Sequence, residues 1–153
     1  MAEWLDDLVS KTKLRYEDQR TKEQKIREQL QRAEELGAKF FSDLADWLKA
    51  NTEQFNQKFE SQVFSIQDNR SQYAINVISH PDPIHTWSAR VTYTPVAHNI
   101  DILRNPGGAT TYTLALTEDG SRIVALYGNN TDPSHGLDVN LLGQNIMQSM
   151  LIP

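Results

Sequence analysis

The chain has no cysteine. That single absence excludes disulfides, thiolate metal sites, iron–sulfur clusters and cysteine nucleophiles together. A basic excess is also missing: 15 Lys plus Arg stand against 20 Asp plus Glu, a formal charge of -5. Nucleic-acid binding through phosphate contacts is thereby disfavoured, and no nucleic-acid partner is expected. Nowhere do apolar residues run for the roughly 20 positions of a membrane-spanning helix, so integral membrane association is not expected either. The opening segment MAEWLDDLVSKTK carries Glu3, Asp6 and Asp7 where a secretory signal would carry basic residues. The expected location is cytoplasmic.

Glycine and proline are nearly missing from residues 1–60, since all six prolines and six of the seven glycines come later. Charge follows the same division: residues 1–60 hold eleven Lys or Arg and thirteen Asp or Glu, against four Arg and seven acids in residues 61–153. The sequence thus divides into a helical arm, 1–60, and a turn-rich domain, 61–153. In the arm, Leu5, Val9, Thr12, Tyr16, Gln19, Glu23, Ile26, Leu30, Ala33, Gly37, Phe40, Leu44 and Trp47 follow alternating spacings of four and three. This is a heptad register of the coiled-coil type, with poor seam residues at Thr12, Gln19 and Glu23 and good ones from Ile26 onward. Leu36, Phe41, Leu48, Phe55 and Phe59 widen the apolar stripe beyond a two-stranded seam, so the later part of the arm should also pack on the rest of the chain. Gly37 interrupts the pattern at a cost of about 1 kcal/mol relative to Ala within a helix. Two forms remain open at that point, one long helix or a helical hairpin turning at Gly37.

After Glu60 the apolar period changes to two. Trp87, Ala89, Val91 and Tyr93 alternate with Ser88, Arg90, Thr92 and Thr94, which makes one face apolar and the other wet. Asp119-Gly120 suggests a two-residue type I′ hairpin that sets Leu116 opposite Ile123, Leu114 opposite Ala125 and Tyr112 opposite Tyr127. A fold-back at Asp68–Ser71 would set Ile66 opposite Tyr73 and Phe64 opposite Ile75, and Asn105-Pro106-Gly107-Gly108 is a third turn. Leu142, Ile146 and Met150 recur at helical spacing near the end, with Asp132 or Asp138 as the cap. The expected fold is α+β: a long N-terminal helix or helical hairpin on an antiparallel meander of five or six strands, followed by a short C-terminal helix. In architecture this is similar to cystatin-like α+β rolls, a likeness without motifs that implies no function.

Chemistry-bearing clusters are few. SHPDPIHTW gathers His80, Asp82 and His85 in nine residues, with His98 and Asp101 further on as conceivable fellow ligands. Pro81 and Pro83 make that stretch an irregular link that resists wrapping an ion, so the expectation is a connector with solvated histidines and no metal. Neither a nucleophile elbow nor a phosphate-binding loop occurs, and no cofactor is implied. The basic runs SKTKLR and RTKEQKIR read as a solvated, salt-bridged helix face because acids follow at every turn. The expected role is non-enzymatic, a protein-binding or assembly module that oligomerises through its arm. The named interface residues are Trp4, Leu5, Leu8, Val9, Ile26, Leu30 and Ala33, and the partner is a second copy, most simply in a dimer, or another protein. The alternative is a small hydrolase or metal-dependent enzyme using the region from His80 to Asp101.

Overall fold

The computed structural model describes residues 2–152. Helix α1 runs unbroken over Glu3–Phe59, so the hairpin form is not adopted. Six strands follow: β1 (Phe64–Asn69), β2 (Ala74–Ser79), β3 (Trp87–Thr94), β4 (Asn99–Asn105), β5 (Ala109–Leu116) and β6 (Ile123–Tyr127). They form one antiparallel sheet in chain order, a meander in which every strand lies beside its sequence neighbours. Helix α2 (Val139–Ser149) closes the fold. The chain divides into two compact units, one up to Ala33 and one from Glu34 onward.

Within the second unit, the alternation read from the sequence becomes a buried face. Ile75, Val77, Ala89, Val91, Ile100, Ile102 and Ala125 are wholly inaccessible there. They meet Phe40, Phe41, Leu44, Ala45 and Leu48 of α1 and Leu142, Ile146 and Met150 near α2, all in one core cluster. Each helix supplies a stripe and the sheet supplies a face, which is the ordinary way such elements remove apolar surface from water. Phe59 falls outside this packing: it is exposed and stacks on Phe55. Asp138 caps α2 by accepting from the Leu141 backbone N–H, and Asp132 separately caps a short 3-10 turn over Pro133–His135. Of the two candidates for the C-terminal helix, Asp138 is therefore the cap.

Gly37 is a site of close approach rather than a break. A Cβ there would lie 2.7 Å from the hydroxyl oxygen of Tyr93. The local cost of glycine in a helix is accepted so that helix and sheet can meet. Tyr93 is 4 % exposed, stacked on Phe41 and edge-on to Tyr73. Its hydroxyl is the one buried side-chain polar atom without a hydrogen-bond partner among the described residues.

Two turns differ from expectation. The β5–β6 register is as read, with Leu116 opposite Ile123 and Tyr112 opposite Tyr127. The connection is nevertheless longer than a two-residue hairpin: Gly120 N–H donates to the Thr117 carbonyl, and only Gly120 of the Asp-Gly pair has positive φ, at 68°. The Asp119 side chain is held in the loop, accepting from Thr117 Oγ1 and from both the backbone and the hydroxyl of Ser121. Between β1 and β2 the pairing is displaced, with Phe64 opposite Ser79 and Ile66 opposite Val77. The cause is an extra 3-10 turn over Arg70–Gln72 followed by Tyr73 in the left-handed region at φ 56°. Because the displacement is even, the same side chains still face the core. Tyr73, expected opposite Ile66, instead lies outside the strand and is half exposed.

Both sheet edges are occupied locally. On the β1 side, Asn56 of α1 accepts from the Val63 and Phe64 N–H groups and donates to the Phe64 carbonyl, as a neighbouring strand would. On the β6 side, Ala125 exchanges two backbone hydrogen bonds with Leu137. Residues 123–126 of β6 are buried on both faces, and a Cβ at Gly136 would overlap the Val124 side chain. Edges blocked in this way are poor templates for pairing with another chain.

Candidate functional site

The first unit presents the clearest unaccounted surface. In the single chain, Trp4 is 71 % exposed, Val9 45 %, Ile26 56 % and Leu30 53 %, and Leu5 and Leu8 are open to a similar degree. Ala33 is partly covered. The heptad assigns Val9, Tyr16, Glu23 and Leu30 to a positions and Leu5, Thr12, Gln19, Ile26 and Ala33 to d positions. This register predicts apolar layers at both ends of the arm and polar layers between them. Helices of this length draw most of their stability from packing an amphipathic face, and the apolar residues of this one stand open to water up to Leu30.

Charge on the same face is uneven. The positions flanking the seam carry Lys13, Arg15, Arg20, Lys22 and Arg27, while Asp6 lies at the N-terminal end and Glu23 within the seam itself. None of those five basic residues is in an ion pair within the described chain; nearby, Lys11 pairs with Asp7 at 3.1 Å in a well-solvated salt bridge. The expected salt-bridged face is thus solvated but sparsely bridged. Other local polar contacts there include two back-bonding hydroxyls, Thr12 to the Leu8 carbonyl and Thr21 to the Glu17 carbonyl, and a bond from Gln24 Nε2 to Glu28 Oε1 at 3.3 Å.

The histidine loop is built differently. Asp82 accepts from the backbone N–H groups of Ile84 and His85 and contacts His85 Nδ1 at 2.7 Å. The Ile84 N–H, followed by the His85 ring, holds the Asp82 carboxyl below its usual range. His80 faces Thr86 Oγ1 instead. These bonds close an Asx-type turn between β2 and β3, the connector expected from Pro81 and Pro83. His98 lies in the turn after β3, while the His80–Thr86 loop precedes that strand. Eight residues of strand separate them, about 26 Å at 3.3 Å per residue, so His98 is not a fellow ligand. Asp101 is taken by Thr111 Oγ1 at 2.6 Å. Among the described residues, no three His, Asp or Glu side chains converge as metal ligands.

Two of the four arginines after residue 60 are engaged structurally. Arg70 pairs with Asp68 and Asp46 at 2.8 Å, and Arg104 donates to Ser149 and Thr110. The bond from Arg70 leads the effects that hold the Asp68 carboxyl down at about 2. A shallow groove of about 450 Å³ is lined by Leu36, Lys39, Phe40, Arg122, Asp138 and Asn140 among others, with Lys39 paired to Asp43. It brings together neither a nucleophile–base pair nor convergent carboxylates. No helix of the described chain is long and apolar enough to cross a membrane.

The chain matches no protein-family model, no curated protein and no solved structure.

Proposed function

We propose that the protein is a non-enzymatic assembly module that self-associates through the N-terminal half of α1. The observation that carries this reading is the exposure of Leu5, Val9, Ile26 and Leu30 on a helix that keeps heptad spacing while the same repeat, continued at Phe40 and Leu44, is buried. An apolar stripe kept in register without an internal partner is the pattern of a helix made for another helix. A second copy fits because its arm offers the same stripe, and the blocked sheet edges leave the arm as the self-complementary surface.

Magnitudes set the strength. Two arms bring about eight such side chains together, and at about 1 kcal/mol for each partly exposed residue the gain is roughly 8 kcal/mol. Losing rigid-body freedom costs about 4–15 kcal/mol. The two are of similar size, so the dimer is weak and strongly dependent on concentration. Sedimentation velocity of the full-length protein over a wide concentration range tests this. A mass that climbs from one chain to two is expected, whereas a constant single-chain mass would overturn the reading.

A further inference from the structure

We infer that two arms pair in antiparallel orientation, with Val9 of one chain against Ile26 of the partner subunit; the inference rests on the self-association proposed above. In an antiparallel pair the a positions of one helix meet the d positions of the other. Setting Val9 against the partner's Ile26 fixes every other layer. Leu5 meets the partner's Leu30, Tyr16 meets the partner's Gln19, and Thr12 meets the partner's Glu23. The apolar ends therefore cover each other and the polar middle covers the polar middle. Sliding by one heptad destroys the match, because Leu5 then faces the partner's Glu23 in one direction and Leu30 faces the partner's Thr12 in the other.

Apolar layers alone do not choose the orientation, since an in-register parallel pair would also match Val9 with Val9 and Leu30 with Leu30. The charges choose. In the parallel pair Glu23 meets its own copy inside the seam, and a desolvated like-charge pair of carboxylates is costly. In the antiparallel pair Glu23 faces the partner's Thr12, an uncharged side chain, on a stretch flanked by Lys13 and Arg15. Asp6, flanking the seam at one end, also comes beside the partner's Arg27, and by symmetry this contact occurs twice. The basic flanks repel in both arrangements: Arg15 lies near the partner's Arg20 in the parallel pair and near the partner's Lys22 in the antiparallel one. They weaken either dimer without deciding between them, whereas Glu23 and Asp6 decide. Polar residues at seam positions are the usual means by which such helices specify register and direction.

Site-directed crosslinking tests the orientation, helped by the absence of native cysteine. Thr12→Cys and Glu23→Cys are made separately in the full-length chain; Thr12→Cys keeps the Glu23 carboxylate and reads the orientation, and Glu23→Cys serves only as its partner in the mixture. Dimerisation of each is first established by sedimentation. A short bis-maleimide is then added to each variant alone and to a mixture after subunit exchange. The expected result is covalent dimer in the mixture, at several-fold the yield of Thr12→Cys alone. In the antiparallel pair a thiol introduced at either position is displaced from its own copy by about 16 Å along the helix, at 1.5 Å per residue. Crosslinking of Thr12→Cys with itself, in a chain that keeps Glu23, would establish the parallel pair and overturn the inference. A dimer that crosslinks in no sample would overturn the register. If both variants and the parent sediment as single chains, self-association itself fails, a distinguishable outcome that removes the inference with it.

Discussion

One helix shows both fates of the same repeat. From Glu34 onward the heptad places Phe40 and Leu44, with Phe41 and Leu48 of the wider stripe beside them, against the sheet, where they are almost wholly buried. Up to Ala33 the same spacing places Leu5, Val9, Ile26 and Leu30 in water. The periodicity that specifies a helix is common to the two regions; what differs is whether the chain supplies a surface to receive the stripe. The buried part of the stripe therefore contributes to folding stability in the second unit, whereas on the reading proposed above the apolar residues of the first act on assembly.

The largest contrast comes from truncating equivalent seam residues. Leu44→Ala, within the core, should lower the free energy of unfolding by about 2–5 kcal/mol, the cost of a buried cavity. Leu30→Ala should leave the denaturant midpoint of the β-sheet signal unchanged in dilute protein while weakening association. Equal losses of stability would erase the distinction between the two regions.

A smaller effect sharpens the boundary at Gly37. Gly37→Ala gains about 1 kcal/mol of helix propensity but presses its methyl group on the Tyr93 hydroxyl. Tyr93→Phe removes a buried hydroxyl that lacks a partner among the described residues and should be neutral or stabilising by about 1 kcal/mol. The pair should therefore couple: Gly37→Ala destabilises the parent yet stabilises the Tyr93→Phe protein. Thermal denaturation of the four proteins in a double-mutant cycle checks this, and simple additivity would mean that the close approach is relaxed in solution.

The smallest effect is electrostatic and confined to the sheet unit. Asp68 is held at about 2 against an ordinary 3.8, so its folded-state value is depressed. Its contribution is accordingly full above about pH 4 and is lost as pH falls towards 2. Being partly solvated, it should be worth no more than about 1 kcal/mol. Asp68→Asn should show a shallower loss of stability than the parent over that acid range, and parallel pH profiles would count against the Asp68–Arg70 bond.

Much of this division was legible from residue order. The alternation through Trp87–Tyr93, and the pairing of Tyr112 with Tyr127, follow from a period of two that leaves one register with all apolar residues on one face. The β1–β2 displacement was not legible, because Arg70 is fixed by Asp46 and Ser42 on α1, contacts made across more than twenty residues of sequence. Gly37 looked like a breaker because its reason, Tyr93, lies 56 residues away. Of the candidate site, the heptad stripe and its polar middle could be read directly, and so could the connector character of the His80–His85 loop. The exposure of the arm followed only if Gly37 did not turn the helix back on itself, a choice that residue order leaves open and the unbroken helix decides.

Sedimentation velocity of the full-length chain beside a chain lacking residues 1–33, at matched concentrations, tests the central claim most directly. The full-length protein should rise with concentration from 17.5 kDa towards twice that mass. The shortened chain should retain its β-sheet circular dichroism and stay at its single-chain mass throughout. A full-length protein that remains at 17.5 kDa, or a shortened chain that associates equally well, would contradict the account.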